Sequence, residues 1–278
     1  MDLLEKFNSL ELFGKHEISE HPDTGEFGLH VHSRYEIYVF CSGSAQYLVE
    51  GSSYPLAKGS VLIMRPGESH AAKILAGDCY ERYAINFSAS LLSRVDPKRQ
   101  LLRAFDDRPL GRGNLYTAEE LGESAVESAL KDMHLSPEHG YESYLDLYSR
   151  LFSLLRLIDG AFVRRGVSEY KPPESLAEQI LSYLNANLFE ELSVESLAEH
   201  FFLSRSQFCR IFRETSGKTP WEYVTQKRLT AAREMIEEGS SVSAAAEACG
   251  YGDYSAFYRA YVKLFGTSPA RQKGIRPS

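Results

Sequence analysis

Cysteine is scarce, with only Cys41, Cys79, Cys209 and Cys249 among 278 residues. No two stand in a CxxC spacing, which argues against a zinc ribbon or a disulfide scaffold and fits a reducing compartment. Long apolar runs are also missing. No stretch approaches the roughly 18 residues needed to cross a bilayer. The opening MDLLEKFNSLELFGKHE has no basic segment followed by an apolar core and a small-residue cleavage site. The expectation is therefore a cytoplasmic chain with no secretory signal and no membrane partner. The phosphate loop GxxxxGK[ST], the dinucleotide fingerprint GxGxxG and a serine-histidine-aspartate arrangement are absent too. Triphosphatase, dinucleotide-oxidoreductase and hydrolase readings lose their support.

Positive charge is in deficit overall, at a formal net of −7, but unevenly so. Residues 1–171 carry 19 Lys+Arg against 25 Asp+Glu, whereas residues 201–278 carry 12 against 7. A basic carboxy-terminal segment on an acidic chain is the asymmetry expected when one end meets phosphate. At roughly 100–200 residues per domain the length suggests two domains. SEYKPPE holds Pro172 and Pro173, disfavours helix at Lys171, and reads as a linker over 168–174 between domains 1–167 and 175–278.

From Phe27 to Phe87 short β-rich runs (YEIYVFC, SAQYLVE, SVLIM, CYERYAINF) alternate with turn signals. That spacing predicts a β-barrel or sandwich. His30, His32 and Glu36 share parity, so a continuous strand would point them to one face. Gly43, Gly59, Pro66 and His70 follow. This HxHxxxE…H pattern resembles the cupin barrel, although Gly25 sits one residue too close and the second motif reads PGESH rather than PxGxxH. Three imidazoles and a carboxylate (His30, His32, Glu36, His70) suit a divalent transition metal. A metal-free pocket in which His30, His32, Arg34, Glu36 and His70 hydrogen-bond a small effector is the other reading, and structural hydrogen bonding a third.

Further on the period becomes helical. Thr117 and Glu120 form a capping-box signature for a helix over 117–135. Residues 141–165 form a long apolar helix with two stripes. One contains Leu147, Leu151, Leu154 and Ile158; the other contains Leu145, Tyr148, Phe152, Leu155 and Phe162. A helix packed on one side needs one stripe. Two point to a barrel on one face and a second copy on the other, with Leu147, Leu151, Leu154 and Ile158 assigned to that homodimer interface. Burial of both stripes within one subunit is the alternative.

The carboxy-terminal part repeats itself. Offset by 49 residues, Ser206, Phe208, Arg210, Phe212, Gly217 and Pro220 align with Ser255, Phe257, Arg259, Tyr261, Gly266 and Pro269. A short helix-like run precedes each copy, and Ser204 and Asp253 are placed as N-caps. Gly250 supplies the second turn; the first has no glycine and is one residue shorter. Each copy reads as a helix-turn-helix, whose second helix enters a DNA major groove. The face away from the apolar residues carries Arg205, Ser206, Gln207 and Arg210 in one copy and Tyr254, Ser255, Tyr258 and Arg259 in the other. Arginine can pair with guanine and glutamine with adenine. The connecting helix starts at Thr219-Pro220 with Glu222, ends at Gly239, and places Trp221, Val224, Leu229, Ala232, Met235 and Ile236 in one apolar stripe.

These residues, with Leu197-Ala198, Arg228-Leu229, Cys249-Gly250-Tyr251 and Phe265-Gly266, resemble the AraC/XylS family of transcription regulators over about residues 175–273. The resemblance implies an α+β multidomain chain: a cupin-like N-terminal β-barrel followed by helices, then an all-α double helix-turn-helix. It implies a sequence-specific regulator of double-stranded DNA that is not an enzyme, often a homodimer and activating through RNA polymerase. It also implies a small-molecule effector such as a sugar or related metabolite. No cofactor is certain beyond the possible divalent metal. A metal-dependent cupin enzyme with an appended helical domain is the alternative.

Overall fold

The computed structural model describes residues 3–9, 11–23, 25–26, 29–77, 79–131, 133, 135, 140–166, 175–216, 218–237 and 239–272. The chain forms two compact units: the main division falls between Lys171 and Pro172, and residues 28–33 group with the second unit. The linker expected at 168–174 lies outside the described residues. Among the described residues no helix is long and apolar enough to cross a membrane.

The first unit holds two antiparallel sheets. Its strands are β1 (Leu3–Asn8), β2 (Leu12–Ser19), β3 (Gly25–Glu26), β4 (Tyr35–Ser42), β5 (Ala45–Val49), β6 (Ser52–Pro55), β7 (Val61–Met64), β8 (His70–Ile74), β9 (Tyr80–Phe87) and β10 (Leu115–Tyr116). One sheet runs β1-β2-β9-β4-β7-β10 and the other β3-β8-β5-β6. Strand β4 shows why YEIYVFC is apolar at consecutive positions: both its faces are covered. Tyr38 and Phe40 pack with Tyr47, Val49, Ala72 and Ile74 of the second sheet. Ile37 and Val39 point the other way and join a core shared with the helices.

Those helices are α1 (Arg103–Asp106), α2 (Ala118–Leu121), α3 (Glu123–Leu130) and α4 (Gly140–Arg165). The helix expected over 117–135 is two helices. Thr117 and Glu120 do form a reciprocal capping box, but Gly122, at φ +89° and ψ +113°, breaks the run after one turn. The long helix α4 forms where expected, with a correction to its faces. Leu147, Leu151 and Leu154 are fully buried and Ile158 nearly so, packed in the same core as Ile37, Ile85 and Phe87. They cover the sheet of their own subunit and leave nothing for a second copy. Glycine at position 14 of β2 permits this approach: a Cβ there would lie 2.8 Å from Leu147 Cδ2. On the other side of α4, Tyr141, Leu145 and Val163 remain exposed.

The second unit is helical: α5 (Leu176–Ala186), α6 (Val194–His200), α7 (Arg205–Ser216), α8 (Pro220–Glu237), α9 (Val242–Ala248), α10 (Tyr254–Phe265) and α11 (Pro269–Gln272). Phe201, Phe208, Phe212 and Tyr223 pack ring against ring along the first half. In the second half Leu229, Ala232 and Ile236 of α8 meet Ala245, Ala246, Cys249, Phe257 and Tyr261. The small side chains of α9 are thus matched to large aromatic ones on α10. Trp221, assigned to the apolar stripe of α8, is instead exposed. Trp221 sits in the first turn of α8, ahead of the positions that α9 and α10 cover.

Truncating the α4 stripe tests the reassignment. Leu151→Ala is expected to lower the unfolding free energy by about 2–5 kcal/mol, because it leaves a cavity. Chemical denaturation of the dilute protein measures this, and a loss independent of protein concentration marks a contact within one subunit.

Candidate nucleic-acid interface and ligand site

Each recognition helix is fixed at its start by its own side chains. In α7 the Gln207 N–H donates to Ser204 Oγ at 3.3 Å, while Ser204 N–H and Oγ–H donate to Gln207 Oε1 at 3.0 and 2.8 Å. Gln207 therefore spends its carbonyl oxygen on the cap, and only its amide donors remain for a base edge. In α10 the Ser255 N–H donates to Asp253 Oδ1 at 2.8 Å. The turns before them close alike: Leu203 N–H donates to Ala198 O at 2.9 Å and Tyr251 N–H to Ala246 O at 3.0 Å. That closure needs a left-handed residue just beyond the helix. Gly250 fills it in the second copy at φ +77°, and Phe202 fills it in the first at φ +55°. An L side chain in that well costs about 1–2 kcal/mol, yet Phe202 stands 97% exposed, with little packing to offset the cost.

Phe208 and Phe212 are buried on α7, and Phe257 and Tyr261 on α10. The eight positions assigned to DNA (Arg205, Ser206, Gln207, Arg210, Tyr254, Ser255, Tyr258 and Arg259) are all exposed. Arg205 also pairs with Glu195 of α6 at 2.9 Å, an exchangeable surface contact.

One residue given no role by sequence spacing organises this unit. Arg228, in the middle of α8, is buried. Its Nε donates to Leu188 O at 2.7 Å, Nη2 to Glu190 O at 2.6 Å and Nη1 to Gly250 O at 3.3 Å. The first two carbonyls follow α5 and the third lies in the second turn, so one guanidinium joins both halves. Gly250 is required here: a Cβ would fall 2.9 Å from Phe189 O and 3.1 Å from Arg228 Cζ.

Towards the amino terminus, His30 and His32 precede β4 and are separated from it by a bend at Ser33-Arg34, so the continuous strand expected over 30–36 does not form. Of the four metal candidates, Glu36 and His70 of the first unit stand 3.4 Å apart, Oε2 to Nε2, while His30 and His32 group with the second unit. Glu36 and His70 are buried, His32 is half-buried and His30 is exposed. Arg34 is half-buried, and its Nη2 donates to Ser9 O at 3.4 Å.

Partners that sequence reasoning did not single out orient the buried pair. Asn86 Nδ2 donates to Glu36 Oε2 at 2.7 Å. His70 Nδ1–H donates to Glu68 O at 2.8 Å. The Glu68 carboxylate takes a two-pronged bond from Arg108 at 2.7 and 2.6 Å. Burial pushes the Glu68 carboxyl upward, but Arg108 and the Gly111 N–H outweigh it and hold the group below its ordinary range. Tyr38, Tyr47 and Tyr80 fill the space between the sheets. An open cleft of about 870 Å³ lies elsewhere on the first unit, lined by Val39, Cys41, Lys58, Tyr83 and Glu127. Those residues are far apart in sequence and carried no signal.

Comparison with known proteins follows the same division. Residues 17–106 match a family model described as an AraC-like ligand binding domain, and residues 197–273 match one described as a helix-turn-helix domain. The HTH-type transcriptional activator RhaS of Yersinia pestis is 26% identical over 251 residues, covering 87% of this chain and 88% of that one. The probable transcriptional regulator LumQ of Photobacterium leiognathi is 37% identical over 91 residues, covering 32% of this chain and 37% of that one. Among solved structures, unsaturated-fatty-acid-bound ToxT of Vibrio cholerae aligns over 98% of this chain and 99% of its own at 13% identity, with a TM-score of 0.38. Nothing in these likenesses supports the enzyme alternative. With a ligand-binding domain ahead of two helix-turn-helix units in one polypeptide, the chain belongs to the AraC/XylS family of DNA-binding transcription regulators.

Proposed function

We propose that this regulator activates transcription by setting α7 and α10 into successive major grooves on one face of the duplex. A small effector held by the first unit controls it, and RNA polymerase is its target. The observation that carries the reading is the pairing of two exposed recognition faces on one unit, joined through α8 and Arg228. Helix α8 has 18 residues, and at 1.5 Å per residue it is about 27 Å long, against about 34 Å for one turn of DNA. The surplus of basic residues over 201–278 supports contact with phosphate. Relatives bearing the name of activator support the direction of control. A sugar or related metabolite as effector is what the family resemblance implies, and the polar side chains around Glu36 support a ligand of that kind.

Self-association is proposed through the flank of α4, where the exposed Tyr141 and Leu145 adjoin the half-buried rings of Tyr144, Tyr148 and Phe152. Leu145→Glu places a charge in that patch and is expected to shift the protein toward monomer in sedimentation velocity, with its circular dichroism unchanged. An unchanged sedimentation profile in a self-associating wild type would place the interface elsewhere.

Arg210→Ala and Arg259→Ala are each expected to cost about 1–3 kcal/mol of affinity for a cognate site and to relax base preference at one position. Footprinting and titration on a selected promoter fragment check both, and full affinity in both variants would remove these faces from the interface. Arg228→Met leaves the Leu188, Glu190 and Gly250 carbonyls without their donor and is expected to cost about 1–3 kcal/mol of stability. It should weaken binding to a two-groove site more than to a single-groove fragment, as read by titration of both duplexes.

A further inference from the structure

We propose that the cleft between the large sheet and α3 binds a small organic monocarboxylate, its apolar body against Val39, Cys41 and Tyr83 and its carboxylate held by Lys58 and Lys131. Alternation along β4 puts this cleft on the opposite face of the sheet from Glu36. Tyr38 and Phe40 share the Glu36 face, and Ile37 and Val39 take the other. The ligand is therefore additional to the effector assigned to Glu36, and the proposal does not rest on that reading.

Strand register builds the floor. Tyr83 stands across the ladder from His16 on β2 and from Val39 on β4. Its ring stacks on the His16 ring at 3.9 Å with 5° between the planes, and His16 Nε2 lies 2.9 Å from Glu81 Oε1. A ring clamped in this way is preformed, so a bound molecule spends little entropy on ordering it. The register of β4 against β9 shifts between Phe40 and Ser42, which leaves Cys41 without a partner across that ladder. Burial pushes the Cys41 thiol up to about 12, so it stays neutral and lines the cleft as an apolar group. Val126 and Leu130 of α3 are buried in the facing wall. A cleft of about 870 Å³ walled in this way takes the apolar body of a small molecule out of water.

Charge selects the head group. Lys58 and Lys131 line the cleft against one carboxylate, Glu127, an excess of one positive charge. Lys58 Nζ lies 2.9 Å from Glu127 Oε1, but both side chains are mostly exposed. Such a pair is weak and exchanges readily, so an incoming carboxylate can replace Glu127 on Lys58. Gly59, at φ +79°, holds the lysine in position. A Cβ there would lie 2.9 Å from Ala118 Cβ, so glycine lets the loop before β7 close on α2. A cation would meet the two ammonium groups, and a sugar would lose its hydration to largely apolar walls.

The test titrates the full chain by calorimetry with 4-phenylbutanoate and octanoate, and with 4-phenylbutanamide and 4-phenylbutylammonium as neutral and cationic counterparts. The expected result is saturable binding of at least one carboxylate, about one per chain, tighter than the amide and the ammonium. Lys58→Met and Lys131→Met should each weaken carboxylate binding about two- to fivefold, the range of an exposed ion pair, and leave the amide unchanged. Glu127→Gln removes the competing carboxylate and should strengthen binding by a similar factor. Lys73→Met, on β8 of the second sheet, should change nothing. All four substitutions lie outside the cores, and circular dichroism checks that each variant is folded. Absence of saturable binding for both carboxylates overturns the proposal. So does an amide or ammonium that binds as tightly, or a carboxylate affinity unchanged in both Lys58→Met and Lys131→Met. An equal loss in Lys73→Met overturns it as well, since the effect would then follow overall charge rather than this cleft.

Discussion

A single guanidinium surrounded by backbone oxygen is the constraint on which the carboxy-terminal unit depends. Every helix end leaves carbonyls that its own turns cannot satisfy. Here three such groups, from the segment after α5 and from the second turn, face one guanidinium. Arg228 satisfies them with donors in a fixed planar fork, which a lysine could not reproduce. Geometry rather than charge is the gain, because the fork sets where the second turn stands relative to the first half.

The amino-terminal unit solves a different problem. Its large sheet is covered on both sides, by a second sheet and by α4, so β4 and β7 are apolar at almost every position. Polar groups placed in such a setting must be joined to one another. Glu68 and Arg108 are, and so are Glu36, Asn86 and His70. These buried networks tie the loop before β8 to the strands that flank it. Glu36 and His70 therefore sit on rigid elements.

Much of this was legible in the sequence where the signal is local. The capping boxes at Thr117 and Thr219, the serine and aspartate caps of the recognition helices, and the 49-residue repeat depend on neighbours within a few positions. What escaped depends on partners far along the chain. Spacing shows that Leu147, Leu151, Leu154 and Ile158 share a face, but not that β2, β4 and β9 cover it. Parity placed His30 and His32 on a strand that a bend interrupts. Arg228 stood out as one member of a motif, and its purpose became visible only with carbonyls from two other segments around it. Periodicity likewise put Trp221 in a stripe, without showing that the covering helices begin further along α8.

The two turns end on the same backbone conformation with opposite freedom to change. Any side chain at Gly250 would push against Phe189 O and the Arg228 fork, so drift at that position would disturb the join between the halves. Phe202 faces outward, and nearly any residue could replace it, with glycine relieving its strain. The first turn can therefore accept side chains that the second must refuse, and the unequal tolerance follows from one missing methyl group.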